Sequence, residues 1–311
     1  MVLAAAVAAG LWARSGDEAP NSFRGDYGPA GTPIAAGLTV PEGASLAGAV
    51  FAVPEPMHAD GAISGSVAVL DISGNPLDVW DALAAQAADA GAALTATGGG
   101  CQWLTSTPDS VGAMAALDGR GPPEATGGLQ CVARGVRPAG ERPALLVDVE
   151  LGSSSEAALA VVRVWELADV HPAAVWGDAM AVRPTPGEDR AGAPRPGGPA
   201  PLPRAGEPFG SEINCLARGY DRLVVPPSAR VLALGDRLGS GDYVAVLAVD
   251  DAEAALRDLA DQMEGEPPRD VDAVGGGRIW RLDNSVEAGG GSCVVTASPD
   301  GHALLVEPHS D

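Results

Sequence analysis

Gly98-Gly99-Gly100-Cys101-Gln102-Trp103 returns later in the chain as Gly275-Gly276-Gly277-Arg278-Ile279-Trp280. Working outward from this pair, the strand-like Ser66-Val67-Ala68-Val69-Leu70 returns as Tyr243-Val244-Ala245-Val246-Leu247. Leu38-Thr39-Val40-Pro41 matches Leu223-Val224-Val225-Pro226, and Trp80, Leu83 and Gln86 match Leu256, Leu259 and Gln262. Cys131-Val132 matches Cys293-Val294, and Ala144-Leu145-Leu146-Val147 matches Ala303-Leu304-Leu305-Val306. The order is kept throughout, so the chain is an internal duplication, and self-similarity of this kind sets the architecture ahead of any local reading. The shrinking offset places an insertion in the first unit, around Thr105 to Gly128.

Within each unit the local signals agree. Asn75 followed by Pro76 starts a helix, since Asn caps and Pro is shaped for the first turn. Val79, Trp80, Leu83 and Ala87 share its apolar face, and Gly91 stops it. In the second unit Asp251 caps, Ala255, Leu256, Leu259 and Met263 form the stripe, and Gly265 with Pro267 ends it. Strands are expected near Ala47–Ala52, Ser66–Ile72, Gln102–Ser106, Gln130–Arg134 and Leu145–Leu151, with an extra strand, Leu159–Leu167, confined to the first unit. The fold class expected is α+β, with two related units, each one helix packed on a mainly antiparallel sheet. The expected divisions are an N-terminal segment and tether over 1–37, a first unit over 38–183, a Pro-rich linker over 184–209 and a second unit over 210–311.

The chain has 311 residues, a net charge of -22 and no Lys. A strongly acidic surface repels phosphate backbones, which argues against nucleic acid as a partner. Met1 to Trp12 is an apolar run too short to span a bilayer, which takes about 20 residues, and it reads as a signal-peptide core or a clipped anchor giving N-terminal membrane association. A short buried helix is the competing reading. Four cysteines without Cys-x-x-Cys spacing fit disulfides rather than zinc. The expected bridges are Cys101–Cys131 and Cys215–Cys293, the alternative being four free thiols in a cytosolic protein. The first would remove roughly 3–4 kcal/mol of denatured-state entropy in the loop-closure treatment.

The search for chemistry yields little. His58, His171, His302 and His309 show no paired ligand spacing, no Walker-type Gly-Lys-Ser/Thr exists in a chain without Lys, and Gly-x-Ser-x-Gly is absent. The glycine triplets read as loops. No catalytic residue, metal or cofactor is expected. Asp148 and Glu150 alternate on one strand face, and Asp236 with Asp242 could hold calcium only loosely. Trp103 and Trp280 are expected as core anchors, with an exposed ligand platform for a sugar or peptide as the alternative.

The Leu-x-Val-Pro openings, the Val-Ala-Val-Leu strands, the amphipathic helices and the Cys-bearing final strands resemble uncharacterised exported, lipoprotein-like tandem-repeat proteins of high-GC Gram-positive bacteria. The resemblance covers Leu38 to Leu151 and Leu223 to Glu307, and this chain lacks a lipid-attachment cysteine. What it implies is location and layout. The expectation is a non-enzymatic extracytoplasmic protein of the cell envelope or medium, binding an envelope protein or glycan. An envelope hydrolase with carboxylates between the units, or a structural spacer, stand as alternatives.

Overall fold

The computed structural model describes residues 28–54, 56, 61–104, 128–153, 158–168, 202–209, 223–236, 243–263, 265–274, 277–284 and 291–308. In chain order the elements are β1 (Pro33–Ala35), β2 (Leu38–Thr39), β3 (Ala44–Leu46), β4 (Val53–Pro54), β5 (Ala62–Ile72), α1 (Pro76–Asp89), β6 (Leu94–Leu104), β7 (Gly128–Arg137), β8 (Ala144–Ser153) and β9 (Ala158–Leu167). They continue with β10 (Ala229–Asp236), β11 (Tyr243–Val249), α2 (Ala252–Ala260), β12 (Arg269–Val271), β13 (Ala273–Val274), β14 (Arg278–Asp283), β15 (Ser292–Ala297) and β16 (Ala303–Pro308). Two six-stranded sheets dominate, in the orders β3-β5-β9-β8-β7-β6 and β10-β11-β16-β15-β14-β12. Every strand pairing among the described residues is antiparallel.

The helices start as their sequences dictate. The Asn75 side chain accepts from Leu77 N at 3.1 Å, and Asp251 Oδ1 accepts from Glu253 N and Ala254 N at 2.9 and 3.1 Å. These bonds satisfy backbone donors that a helix start leaves without internal partners. Gly91 follows α1 at φ 86°, a backbone setting that favours glycine. The helix α2 stops at Ala260, ahead of Gly265, while Met263 beyond it stays buried.

Strand alternation gives each sheet two apolar faces. On one face of the first sheet, Ala68, Leu70, Leu145, Val147, Val149 and Leu151 share a buried cluster with Leu77, Val79, Trp80 and Leu83 of α1. On the equivalent face of the second, Leu247, Trp280, Leu282, Val295 and Leu304 share one with Ala255, Leu256 and Leu259 of α2. The opposite faces meet each other. Val67, Val69, Leu146, Leu159, Val161 and Trp165 of the first sheet join Ala233, Val244, Val246, Ala303 and Leu305 of the second in one cluster. Glycines let the sheets close up, because a Cβ on Gly48 would lie 2.7 Å from Val246, and one on Gly235 would lie 2.5 Å from Leu159. The units also exchange a strand contact, β4 pairing with β13.

The duplication is visible atom for atom. Gln86 Oε1 accepts from Thr39 N at 2.7 Å, and the matching Gln262 Oε1 accepts from Val224 N at 2.6 Å. The repeat also begins earlier than expected, at Ala30-Gly31-Thr32-Pro33 and Ala205-Gly206-Glu207-Pro208. Gly31 N donates to Val40 O at 2.8 Å, and Gly206 N donates to Val225 O at 3.0 Å. Ile34 and Phe209, just after these motifs, are both buried. The tether expected to run to residue 37 and the linker expected to run to 209 therefore each end with ordered, partly buried backbone.

Two further expectations change. Ala47–Ala52 is not a strand. Ala47 N still donates to Val69 O of β5 at 2.8 Å, the chain then turns through Gly48 at φ 85°, and it rejoins β5 at the Phe51–Val67 bridge. Gly98–Gly100 is not a loop but part of β6, where the register shifts between Ala96 and Cys101. The expected extra strand forms as β9, and it lies between β5 and β8. The expected insertion beyond Leu104, and His58, His171 and His309, lie outside the described residues. His302 is exposed in the turn before β16, as its Pro299-Asp300-Gly301 context implied.

Candidate functional site

The expected site residues do not converge. Cys101 and Cys131 are direct cross-strand partners in the β6–β7 ladder and form a disulfide. Cys293 in β15 is also disulfide-bonded; its expected partner, Cys215, lies outside the described residues. Trp280 is 4% exposed within the second unit's core. The Arg278 guanidinium lies 4.8 Å from its ring centroid, so Trp280 sits as a core residue with a cation over its ring. Its indole is taken up by burial against α2 and by a cation–π contact. The backbone of Trp103 lies in β6, while its side chain is outside the described residues. Arg278, standing where the first unit has Cys101, pairs with Glu253 in the first turn of α2. Asp236 closes β10, and Asp242 lies outside the described residues. No group of three metal-ligating side chains occurs among the described residues.

Charge gathers instead between the sheets. In β8 the odd-numbered side chains from Leu145 to Leu151 face the α1 cluster, which turns Asp148 and Glu150 toward the second sheet. Register sets their neighbours, with Asp148 opposite Arg134 of β7 on one side and Arg163 of β9 on the other. Arg134 grips Asp148 with two bonds, Nε to Oδ1 at 2.5 Å and Nη2 to Oδ2 at 2.6 Å. Such forked pairs are stronger and more directional than single contacts. Arg163 Nη1 lies 3.4 Å from Glu150 Oε1, and its Nη2 pairs across the interface with Glu307 of β16. The side chains of Arg163, Glu150 and Glu307 are 12%, 16% and 10% exposed.

The electrostatics follow from this geometry. Burial opposes a charged Arg163, but the carboxylates of Glu307, Glu150 and Asp148 outweigh it and hold the guanidinium firmly protonated. The hydrogen bond to Asp148 likewise raises Arg134, with burial acting against it. A smaller cluster lies further along the second sheet. Burial acts to raise the Asp283 carboxyl, but hydrogen bonds from Arg269 and Arg281 hold it below its ordinary value. In the turn before β16 the Ser298 hydroxyl donates to Asp300 Oδ1 at 2.6 Å and His302 N donates to it at 3.0 Å. The Ser298 bond foremost lowers the Asp300 carboxyl, against a smaller opposing effect of burial. Arginine does not exchange protons near neutral pH, so the cluster's evident chemistry is charge pairing.

Sequence reading passed over Arg163. The signal available was a lone cation in Val161-Val162-Arg163-Val164-Trp165, an otherwise apolar run on both faces of a strand. A buried arginine demands carboxylate partners.

Comparison with known proteins adds little. No protein-family model and no curated protein matches the chain. One solved structure, from work on dehydratase substrate selection for the borrelidin and fluvirucin polyketide synthases, is similar over 84% of this chain and 92% of its own. The identity is 10% and the TM-score 0.13, a level that carries no argument about fold or function.

Proposed function

We propose that the protein is a non-enzymatic, extracytoplasmic binding or envelope-associated interaction protein, made of two helix-backed sheets docked into one body. The observation that carries the reading is the Cys101–Cys131 bridge. Disulfides persist in oxidising compartments and are rare where glutathione keeps thiols reduced. The net charge of -22 supports a soluble, mutually repelling surface. On this reading the apolar Met1–Trp12 run directs or tethers the body, and the partner is an envelope protein or a glycan. Among the described residues no helix is long and apolar enough to cross a membrane.

The test has two parts. Non-reducing digestion and mass spectrometry of protein recovered from its native envelope fraction should give linked Cys101 and Cys131 peptides; four alkylatable thiols would overturn the assignment. The immobilised full chain, incubated with native envelope material, should enrich a defined protein or glycan in a salt-dependent manner. A second reading, a hydrolase using carboxylates between the units, draws on the meeting of Asp148, Glu150 and Glu307 near Arg163. Glycoside or peptide turnover abolished by Glu150→Gln and Glu307→Gln would favour it.

A further inference from the structure

We propose that the Cys101–Cys131 bridge is a redox-sensitive register lock on the edge strand β6. The ladder between β6 and β7 has two halves. Leu94, Thr95 and Ala96 stand opposite Gly135, Arg134 and Ala133, while Cys101, Gln102, Trp103 and Leu104 stand opposite Cys131, Gln130, Leu129 and Gly128. Between these halves the four residues Thr97 to Gly100 lie across from one residue of β7, Val132. The outer half is therefore displaced by three residues from the register of the inner half. The inner half is fixed from several sides. Ala92 and Leu94 share the buried cluster of α1, Thr95 Oγ1 donates to Arg134 O at 3.0 Å, and a Cβ on Gly135 would lie 2.1 Å from Ala92 O.

Continued without a shift, the inner register would put Gly98 opposite Cys131 and Cys101 opposite Gly128. That ladder would return Thr97 to Gly100 to regular pairing. Glycines carry no side chain to favour one face over the other, so register is weakly specified along such a stretch. The bridge removes the ambiguity, because it closes only where Cys101 stands opposite Cys131. The outer edge of β6 pairs with no strand among the described residues, so a change of register rearranges the β6–β7 ladder alone. Cys131 is fully buried, whereas Cys101 is partly buried at the margin of the α1 cluster, so attack falls on the Cys101 sulfur. The thiolate of a dithiol reductant bonds to Cys101 Sγ, the bond to Cys131 breaks, and Cys131 leaves as a thiolate that takes up a proton. The second thiol of the reductant then displaces Cys101 and closes the reductant's own disulfide. Two electrons and two protons pass to the protein, and the two registers then compete.

The test keeps the full chain and the bridge at Cys293. In a glutathione buffer, Cys131→Ala/Gly128→Cys leaves Cys101 a partner at position 128 in the continuous register alone. In the observed register that position lies three residues further along the ladder, about 10 Å away and beyond the roughly 7 Å that a disulfide spans between Cα atoms. Peptide mapping should find Cys101 linked to position 128 in at least about half of the molecules. Deleting Gly98–Gly100 in the same background should abolish that link, because the two registers then coincide and Cys101 returns opposite position 131. The parent chain, which needs no substitution, should lose the Cys101–Cys131 bridge to a dithiol while still folded, both thiols being labelled after quenching. Free thiols at 101 and 128, a link that survives the deletion at full yield, or a parent bridge that resists the dithiol until denaturation would each overturn the proposal.

Discussion

The strands β8 and β16 are copies of one sequence element, yet they keep different company. The second unit's β16 pairs directly with β11, whereas in the first unit β9 stands between β8 and β5. Both copies nevertheless keep alternate residues against their helices, Leu145 and Val147 in one and Leu304 and Val306 in the other. Inserting β9 replaces one hydrogen-bonded neighbour of β8 and keeps the other, β7, as β16 keeps β15, and it leaves the pleat, and so the choice of face, intact. The helix-side core is thus kept in both units, as are equivalent apolar positions on the sheet-to-sheet face, and the units diverge where β9 adds Leu159, Val161 and Trp165 to that seam.

The sharpest way to break that comparison is at the shared core. Trp80 and Leu256 are repeat equivalents, both buried against their sheets. Trp80→Ala should cost about 3–5 kcal/mol and Leu256→Ala about 2–4 kcal/mol, measured by denaturant unfolding. Trp80→Phe should cost far less, because the indole Nε1 is buried without a hydrogen-bond partner and its loss breaks no bond. A tryptophan-to-alanine cost below about 1 kcal/mol would contradict a constant helix-side core.

Next in size is a feature held differently by the two units. Replacing Cys101 and Cys131 together by Ser should cost about 3–4 kcal/mol, from the 30-residue separation that the bridge closes. The second unit has Arg278 at the Cys101 position and places its bridge elsewhere through Cys293. The loss should appear as a lower denaturant midpoint of the full chain, and an unchanged midpoint would show that the bridge adds no stability.

The glutamines sharpen the comparison at finer grain. Gln86→Leu leaves Thr39 N without its acceptor, while Gln262→Leu strips Val224 of bonds at both N and O. Each should cost about 1–3 kcal/mol, with the second larger. Equal or reversed costs would mean that the matched bonds are not equivalent in energy.

How much of this was legible depended on whether the signal was local. Caps, stripes and stops were, because Asn75-Pro76, Asp251 and Gly91 act on their own turn. The paired glutamines were aligned correctly from sequence, although nothing local revealed that they bond the opening strand. The position of β9 was not legible in full, since an apolar run buried on both faces suits an interior strand but carries no mark of which neighbours it takes. Gly98–Gly100 was misread because glycine runs usually break strands. The early Ala-Gly-x-Pro element escaped because it is short and its spacing to the next matched motif differs between units, Thr32 to Leu38 against Glu207 to Leu223. Arg163 was missed because its partners come from distant strands.

Acid should bear unequally on the two units. Asp283 and Asp300, both in the second, are held below the ordinary carboxylate value. A depressed folded-state value means stability that is present above the unfolded value of 3.8 and lost as pH falls through the folded one. Urea midpoints of the full chain should therefore drop on acidification below about pH 4, and Asp300→Asn should reduce the drop. A variant that retains the full drop would remove Asp300 from the account.

The smallest effect expected is at the position where the repeat diverges most conspicuously. Arg278 replaces Cys101, pairs with Glu253 and covers Trp280. Both charged side chains are more than half exposed, at 56% and 59%, so water and salt screen the pair and two long side chains lose freedom in forming it. Arg278→Ala should then cost no more than about 1 kcal/mol, and most of that should survive in high salt, because the part owed to packing on the indole is not screened by ions. Arg278→Met, which keeps an apolar cover over the ring, should be closer to the parent than Arg278→Ala is. If instead Glu253→Ala proves as costly as Arg278→Ala and salt abolishes both, the pair rather than the ring contact is what replaced the first unit's disulfide at this site.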